Sequence, residues 1–95
     1  MKNLIIKDIK NPQEIEGWLK KTSRNCSSAY YYMEDEYSSN PVIRRMEDFE
    51  IKERMSYSFE KSTFGWFWKS DPYNTNTLTL SEMALEIFNL IEKHY

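Results

Sequence analysis

The 95-residue chain has one cysteine, one histidine, two glycines and three prolines, and each scarcity removes a class of protein. A lone Cys26 cannot close an intrachain disulfide. The chain is therefore not a small stapled scaffold of the secreted kind, and a reducing cytoplasm is its expected location. Two glycines leave no Gly-rich loop to cradle a phosphate, and one histidine leaves no zinc ligand set and no Ser-His-Asp arrangement. No apolar run approaches the roughly 20 residues that a membrane helix needs. The opening Leu4-Ile5-Ile6-Lys7-Asp8-Ile9 is too short and too charged for the core of an export signal. A mean hydropathy of −0.77 suits a soluble chain.

Aromatic residues are abundant. They make up 16% of the chain, and with two alanines beside them, large rings must supply the buried area, roughly 150–250 Å² each. Ninety-five residues match one domain able to fold without disulfide or metal, so a single α+β domain is expected over residues 1–95. The net charge of −2 conceals an asymmetry. Residues 1–25 hold six basic and three acidic side chains, residues 26–53 hold three and seven, and residues 54–95 hold four and five. A nucleic-acid binder shows a basic face. This chain lacks one overall, although Lys20, Lys21 and Arg24 make a small basic cluster, and nucleic acid is not the expected partner.

Periodicity places the elements. Residues 51–69 read as an aromatic β-hairpin: Ile51, Met55, Tyr57 and Phe59 alternate with polar neighbours, then Phe64, Trp66 and Trp68 share one face and Phe67 takes the other. Residues 3–9 and 28–33 read as two further strands, the second carrying Tyr30, Tyr31 and Tyr32. Asn11-Pro12-Gln13-Glu14 is a capped helix start, and Ile15, Trp18 and Leu19 form an apolar stripe over residues 12–22. Gly17 either weakens this helix or marks a close backbone approach. Thr79-Leu80-Ser81-Glu82 is a second capping box and opens a helix over residues 80–94, with Leu80, Met83, Ala84, Ile87, Leu90 and Ile91 on one side.

Residues 41–49 fit two patterns, and the spacing of Val42, Ile43, Met46 and Phe49 favours a short helix over an edge strand at residues 42–46. Residues 70–77 read as a loop. The order is β-α-β-(α)-β-β-α: a small antiparallel sheet of three to four strands with two main helices on one face. In topology alone this partly resembles the helix, three strands, helix layout of double-stranded-RNA-binding domains. The chain departs from that family where its last helix begins, because Ser81-Glu82 stand where such domains present a basic cluster.

No chemistry is announced. His94 is the second-to-last residue, where a general base lacks fixed geometry. Cys26 follows Arg24 by two positions but has no base nearby in sequence. Glu34-Asp35-Glu36 lacks the alternation and the glycine of a calcium loop. No catalytic residue, metal or cofactor is expected. A strand sends Tyr30 and Tyr32 to the face opposite Tyr31, so helices on one face leave rings on the other. The expected partner-binding residues are Tyr30, Tyr32, Glu34, Asp35, Glu36 and Phe67, suited to a protein partner with a basic surface. Abundant Lys, Asn, Ile, Tyr and Phe suit an AT-rich genome. The expectation is a small non-enzymatic protein that binds and modulates or inhibits another protein, such as a phage-encoded inhibitor of a host or anti-phage defence factor acting in the host cytoplasm. A toxin-immunity protein and a single-stranded nucleic-acid or RNA-binding module are the alternatives.

Overall fold

The computed structural model describes residues 3–34, 40–46, 57–69 and 77–95. In chain order it contains β1 (Leu4–Ile5), a 3-10 turn (Ile6–Asp8), α1 (Pro12–Thr22), β2 (Ala29–Glu34), β3 (Val42–Met46), β4 (Ser58–Ser62), β5 (Gly65–Trp68) and α2 (Leu80–His94). The five strands form one antiparallel sheet in the order β1-β3-β2-β4-β5. The α+β class and the two helices agree with the pattern of the sequence. The sheet has five strands rather than three or four, and four of them lie between the helices, so the layout shared with RNA-binding domains does not hold.

Local chemistry sets both helix starts. The Asn11 side chain accepts the Glu14 N–H at 3.1 Å, while the Glu14 carboxylate reaches past the cap to the Lys10 N–H at 2.6 Å. At α2 the box is reciprocal: Thr79 Oγ1 accepts the Glu82 N–H at 3.2 Å, and Glu82 Oε1 accepts the Thr79 N–H at 2.9 Å. These bonds hold the Glu82 carboxyl below the usual carboxylate range. The chain leaves α1 through Asn25 at φ 63°, a left-handed conformation that asparagine tolerates better than most residues.

Two expectations change. The first strand stops after Ile5 instead of running to residue 9. The Ile6 N–H donates to Pro41 O at 2.8 Å, but Pro41 has no N–H to return, so the ladder with β3 ends and the chain turns. Residues 42–46 are a strand, not part of a short helix, and that strand is internal to the sheet. Its five residues pair with Tyr30 to Glu34 of β2, and Leu4 and Ile5 pair on its other side. The spacing that suggested a helix fits a strand equally well, and ladder partners on both sides decide the matter.

The helices cover one face of the sheet. Ile15 and Leu19 of α1 and Met83, Ala84, Ile87 and Ile91 of α2 are buried against Ala29, Tyr31, Met33, Ile43, Phe59 and Trp66. Tyr57 and Trp68 flank the same cluster. Tyr57 and Phe59 of the expected hairpin thus belong to the face that the helices cover, while Met55 and the rest of residues 51–56 lie outside the described residues.

The glycines give a paired test of this backbone. Gly17 is exposed within α1, and a Cβ there meets nothing within 4 Å, so it marks no close approach. Gly17→Ala should stabilise the protein by about 0.5–1 kcal/mol and raise Tm by several degrees. Gly65, at φ +142°, would place a Cβ 3.0 Å from both Leu78 O and Thr77 Cβ. Gly65→Ala should destabilise by about 1–3 kcal/mol. Thermal melts of the two variants should move in opposite directions.

Candidate functional site

Alternation along the strands sorts the rings. Tyr31 faces the helices and is fully buried, with its ring stacked on cross-strand Phe59 at 5.1 Å and edge-on to Trp18 of α1 at 5.6 Å. Thr22 Oγ1 donates to Trp18 O at 2.9 Å, which leaves its oxygen to accept the Tyr31 hydroxyl at 2.8 Å. Burial raises the Tyr31 pKa above its ordinary value, opposed by the Thr22 hydrogen bond and the Arg45 charge.

The opposite face of the sheet carries the expected site. Tyr30, Met46, Glu60 and Phe67 form one cross-strand row, all half-buried. Lys69 Nζ lies 5.7 Å from the centre of the Tyr30 ring. In the next row, Tyr32 stands between Arg44 and Ser58. Tyr32 is only 2% exposed, so it presents no ring to a partner. Its hydroxyl donates to Glu34 Oε2 at 3.1 Å, the same oxygen lies 3.4 Å from Arg44 Nε, and the Arg44 guanidinium lies over the Tyr32 ring. Tyr32 and Glu34 are thus bonded to each other and lie against Arg44. The structure brings Tyr30 and Phe67 together around Glu60, while Asp35 and Glu36 lie outside the described residues.

The turn between β4 and β5 adds a residue that sequence reasoning misplaced. Phe64 does not share a strand face with Trp66 and Trp68. It occupies the two-residue turn Thr63-Phe64 and is 86% exposed. Ser62 fixes that turn from both sides, its hydroxyl accepting the Phe64 N–H at 3.2 Å and donating to Gly65 O at 3.1 Å. The available signal was Gly65, a residue suited to the backbone that closes a tight hairpin.

Cys26 and His94 are not brought together. Cys26 follows α1 beside the start of β2, with Arg45 Nη2 3.1 Å from its sulfur. His94 lies beside Tyr57, with its Nε2 3.4 Å from the tyrosine hydroxyl, and Tyr57 O accepts the Met33 N–H near the other end of β2. Arg45 also donates to Thr22 O, and Lys61 Nζ donates to Ser23 O at 3.3 Å. Both cations thus complement the negative C-terminal end of α1. Lys20, Lys21 and Arg24 are exposed around that same end. Among the described residues, no group of three or more His, Cys, Asp or Glu is placed to hold a metal ion, and no helix is long and apolar enough to cross a membrane. No protein-family model, curated protein or solved structure matches the chain.

The raised Tyr31 pKa makes stability depend on pH. A folded-state pKa raised above 10.0 contributes stability that is fully present below pH 10 and is lost as pH rises through the folded value. The unfolding free energy, measured by urea titration, should be level from about pH 8 to 10 and fall above that. Tyr31→Phe should flatten the fall, and should lower the plateau by about 1 kcal/mol through loss of the Thr22 bond.

Proposed function

We propose that this chain is a non-enzymatic binding protein that docks on another protein and modulates or inhibits it by occupying part of its surface. The observation that carries the reading is Phe64. An aromatic side chain 86% exposed on a turn fixed by two Ser62 hydrogen bonds has had its backbone ordered in advance. Burying it in a partner's pocket would gain about 2–3 kcal/mol of apolar transfer with little further ordering. Tyr30 and Phe67 on the same hairpin and its neighbouring strand extend the contact, since rings of this kind anchor interfaces.

The chemistry elsewhere supports a binding role. Among the described residues, the two groups whose ionisation is displaced, Tyr31 and Glu82, serve the core and a helix cap. The helix-free face mixes Glu34 and Glu60 with Arg44 and Lys69 and, among the described residues, shows no continuous basic track for nucleic acid. The surplus of acidic side chains in residues 26–53 favours a basic rim around the partner's pocket.

A photo-crosslinking phenylalanine analogue at position 64 should yield one adduct of defined mass in the native cell, whereas the same analogue at exposed Gln13 should not. Excess wild-type protein should suppress the adduct and Phe64→Ala should fail to do so, although its melting temperature is unchanged. An adduct that Phe64→Ala suppresses equally well would remove Phe64 from the interface. Binding to single-stranded DNA or RNA at about 150 mM salt should be weaker than micromolar, and tighter binding would overturn the reading.

A further inference from the structure

The two edges of the sheet are finished differently. On the β5 side, Trp66 and Leu78 exchange both backbone bonds, at 2.9 and 2.7 Å, which closes that edge at its centre. On the β1 side no further strand follows among the described residues. The Ile6 N–H points at Pro41 of the connection into β3, so the alternation of an extended chain directs the Ile5 N–H the other way, out from the sheet. Asn3, two residues earlier, has the same outward orientation.

Beside this edge lies a groove of about 660 Å³ walled on one side by Asn3, Leu4, Ile5, Asp8 and Ile9, and on the other by Glu14, Trp18, Lys21 and Thr22 of α1. Its floor is apolar, formed by Leu4, Ile9 and Trp18, all packed against the core. The helix wall is held rigidly. Trp18 packs edge-on against Tyr31, and Thr22 bonds to the Tyr31 hydroxyl and to Trp18 O. A volume of this size is typical of a ligand site, and an edge strand beside an apolar groove is the surface to which an extended peptide adds.

We propose that this groove takes up an extended peptide segment of a protein partner by strand addition to β1. For a segment antiparallel to β1, the charges fix the order of its side chains. The chain turns back between Ile9 and Pro12, so Asp8 and Glu14 lie at the turn and Lys21 lies two helical turns away, roughly 10 Å. A peptide antiparallel to β1 starts at the acidic end and finishes at Lys21. The matching segment places a basic residue, an apolar residue and an acidic residue at alternate positions, in that order from its N-terminus, which spans about 13 Å at the strand rise. Asp8, Glu14 and Lys21 are exposed, so they select orientation while backbone pairing and the apolar residue supply most of the affinity. The site is separate from the hairpin tip, because β1 and β5 are opposite edges of the sheet, and neither proposal requires the other.

The probe is acetyl-Lys-Thr-Leu-Thr-Glu-amide, titrated into the full chain and followed by amide and indole shifts in nitrogen-15 NMR. Saturable shifts are expected at Ile5 and at the Trp18 indole. The reversed sequence should bind several-fold more weakly, and the same peptide N-methylated at its central residues should bind about tenfold more weakly through lost backbone bonds. Ile5→Pro is the matching change in the protein. Ile5 sits at φ −79°, within reach of proline, and its outward N–H is not used by β3, so the fold should persist while affinity falls about tenfold. Saturable binding that N-methylation and folded Ile5→Pro both weaken supports strand addition. Absence of saturable shifts, or equal binding by the N-methylated peptide or by folded Ile5→Pro, overturns it. A dimer of the free protein that Ile5→Pro dissociates would also overturn it, since the edge would then belong to a second copy.

Discussion

The buried hydroxyl of Tyr31 is the constraint around which this molecule is arranged. A phenol at the centre of an apolar cluster needs a hydrogen-bond partner, or it costs about 1–3 kcal/mol. Thr22 in the last turn of α1 supplies one at 2.8 Å. That bond fixes where α1 ends over the sheet, and the ring contacts with Trp18, Phe59 and Trp66 then join α1, β4 and β5 through one side chain of β2. Arg45 and Lys61, on the strands flanking β2, donate to the last carbonyls of the same helix. A single polar atom in the core thereby sets the position of the helix that walls the β1 groove.

The two faces of the sheet solve different problems. On the helix side, rings pack on one another and the polar atoms go to helix ends. On the other side, Tyr32, Glu34 and Arg44 are linked to one another, and half-buried Tyr30 and Phe67 flank Glu60. The edges diverge in the same way. Leu78 closes β5 with two bonds, whereas β1 is short and bends away after Pro41 ends its pairing. Shortness is one of the devices by which natural sheets keep an edge from indiscriminate pairing. It leaves room for a selective contact where a helix supplies a second wall.

Both helices were legible in the residues because their signals are local. Capping bonds span three residues, and an apolar stripe repeats within a single element, so Asn11, Thr79 and the Ile87 side of the last helix follow from the chain alone. The strands rich in Tyr and Trp were legible for the same reason. Residues 42–46 were not, because Val42, Ile43 and Met46 satisfy both periods, and only pairing with β2 and β1 chooses between them.

Three adjacent tyrosines show the same limit at the scale of a site. Their sequence guarantees that Tyr31 opposes Tyr30 and Tyr32, since successive side chains of a strand point to opposite faces. It cannot say which face the helices cover, or that Arg44 will lie over Tyr32 and leave Tyr30 as the half-exposed ring. Nor can it place Phe64 on a turn rather than a strand, because that depends on the register in which Ser62 meets Gly65. The α+β class, both helices and the supply of aromatic residues follow from interactions that act within a few positions of the chain. Which rings are core, which are surface and which strands form the sheet edges depends on contacts between residues far apart in the chain.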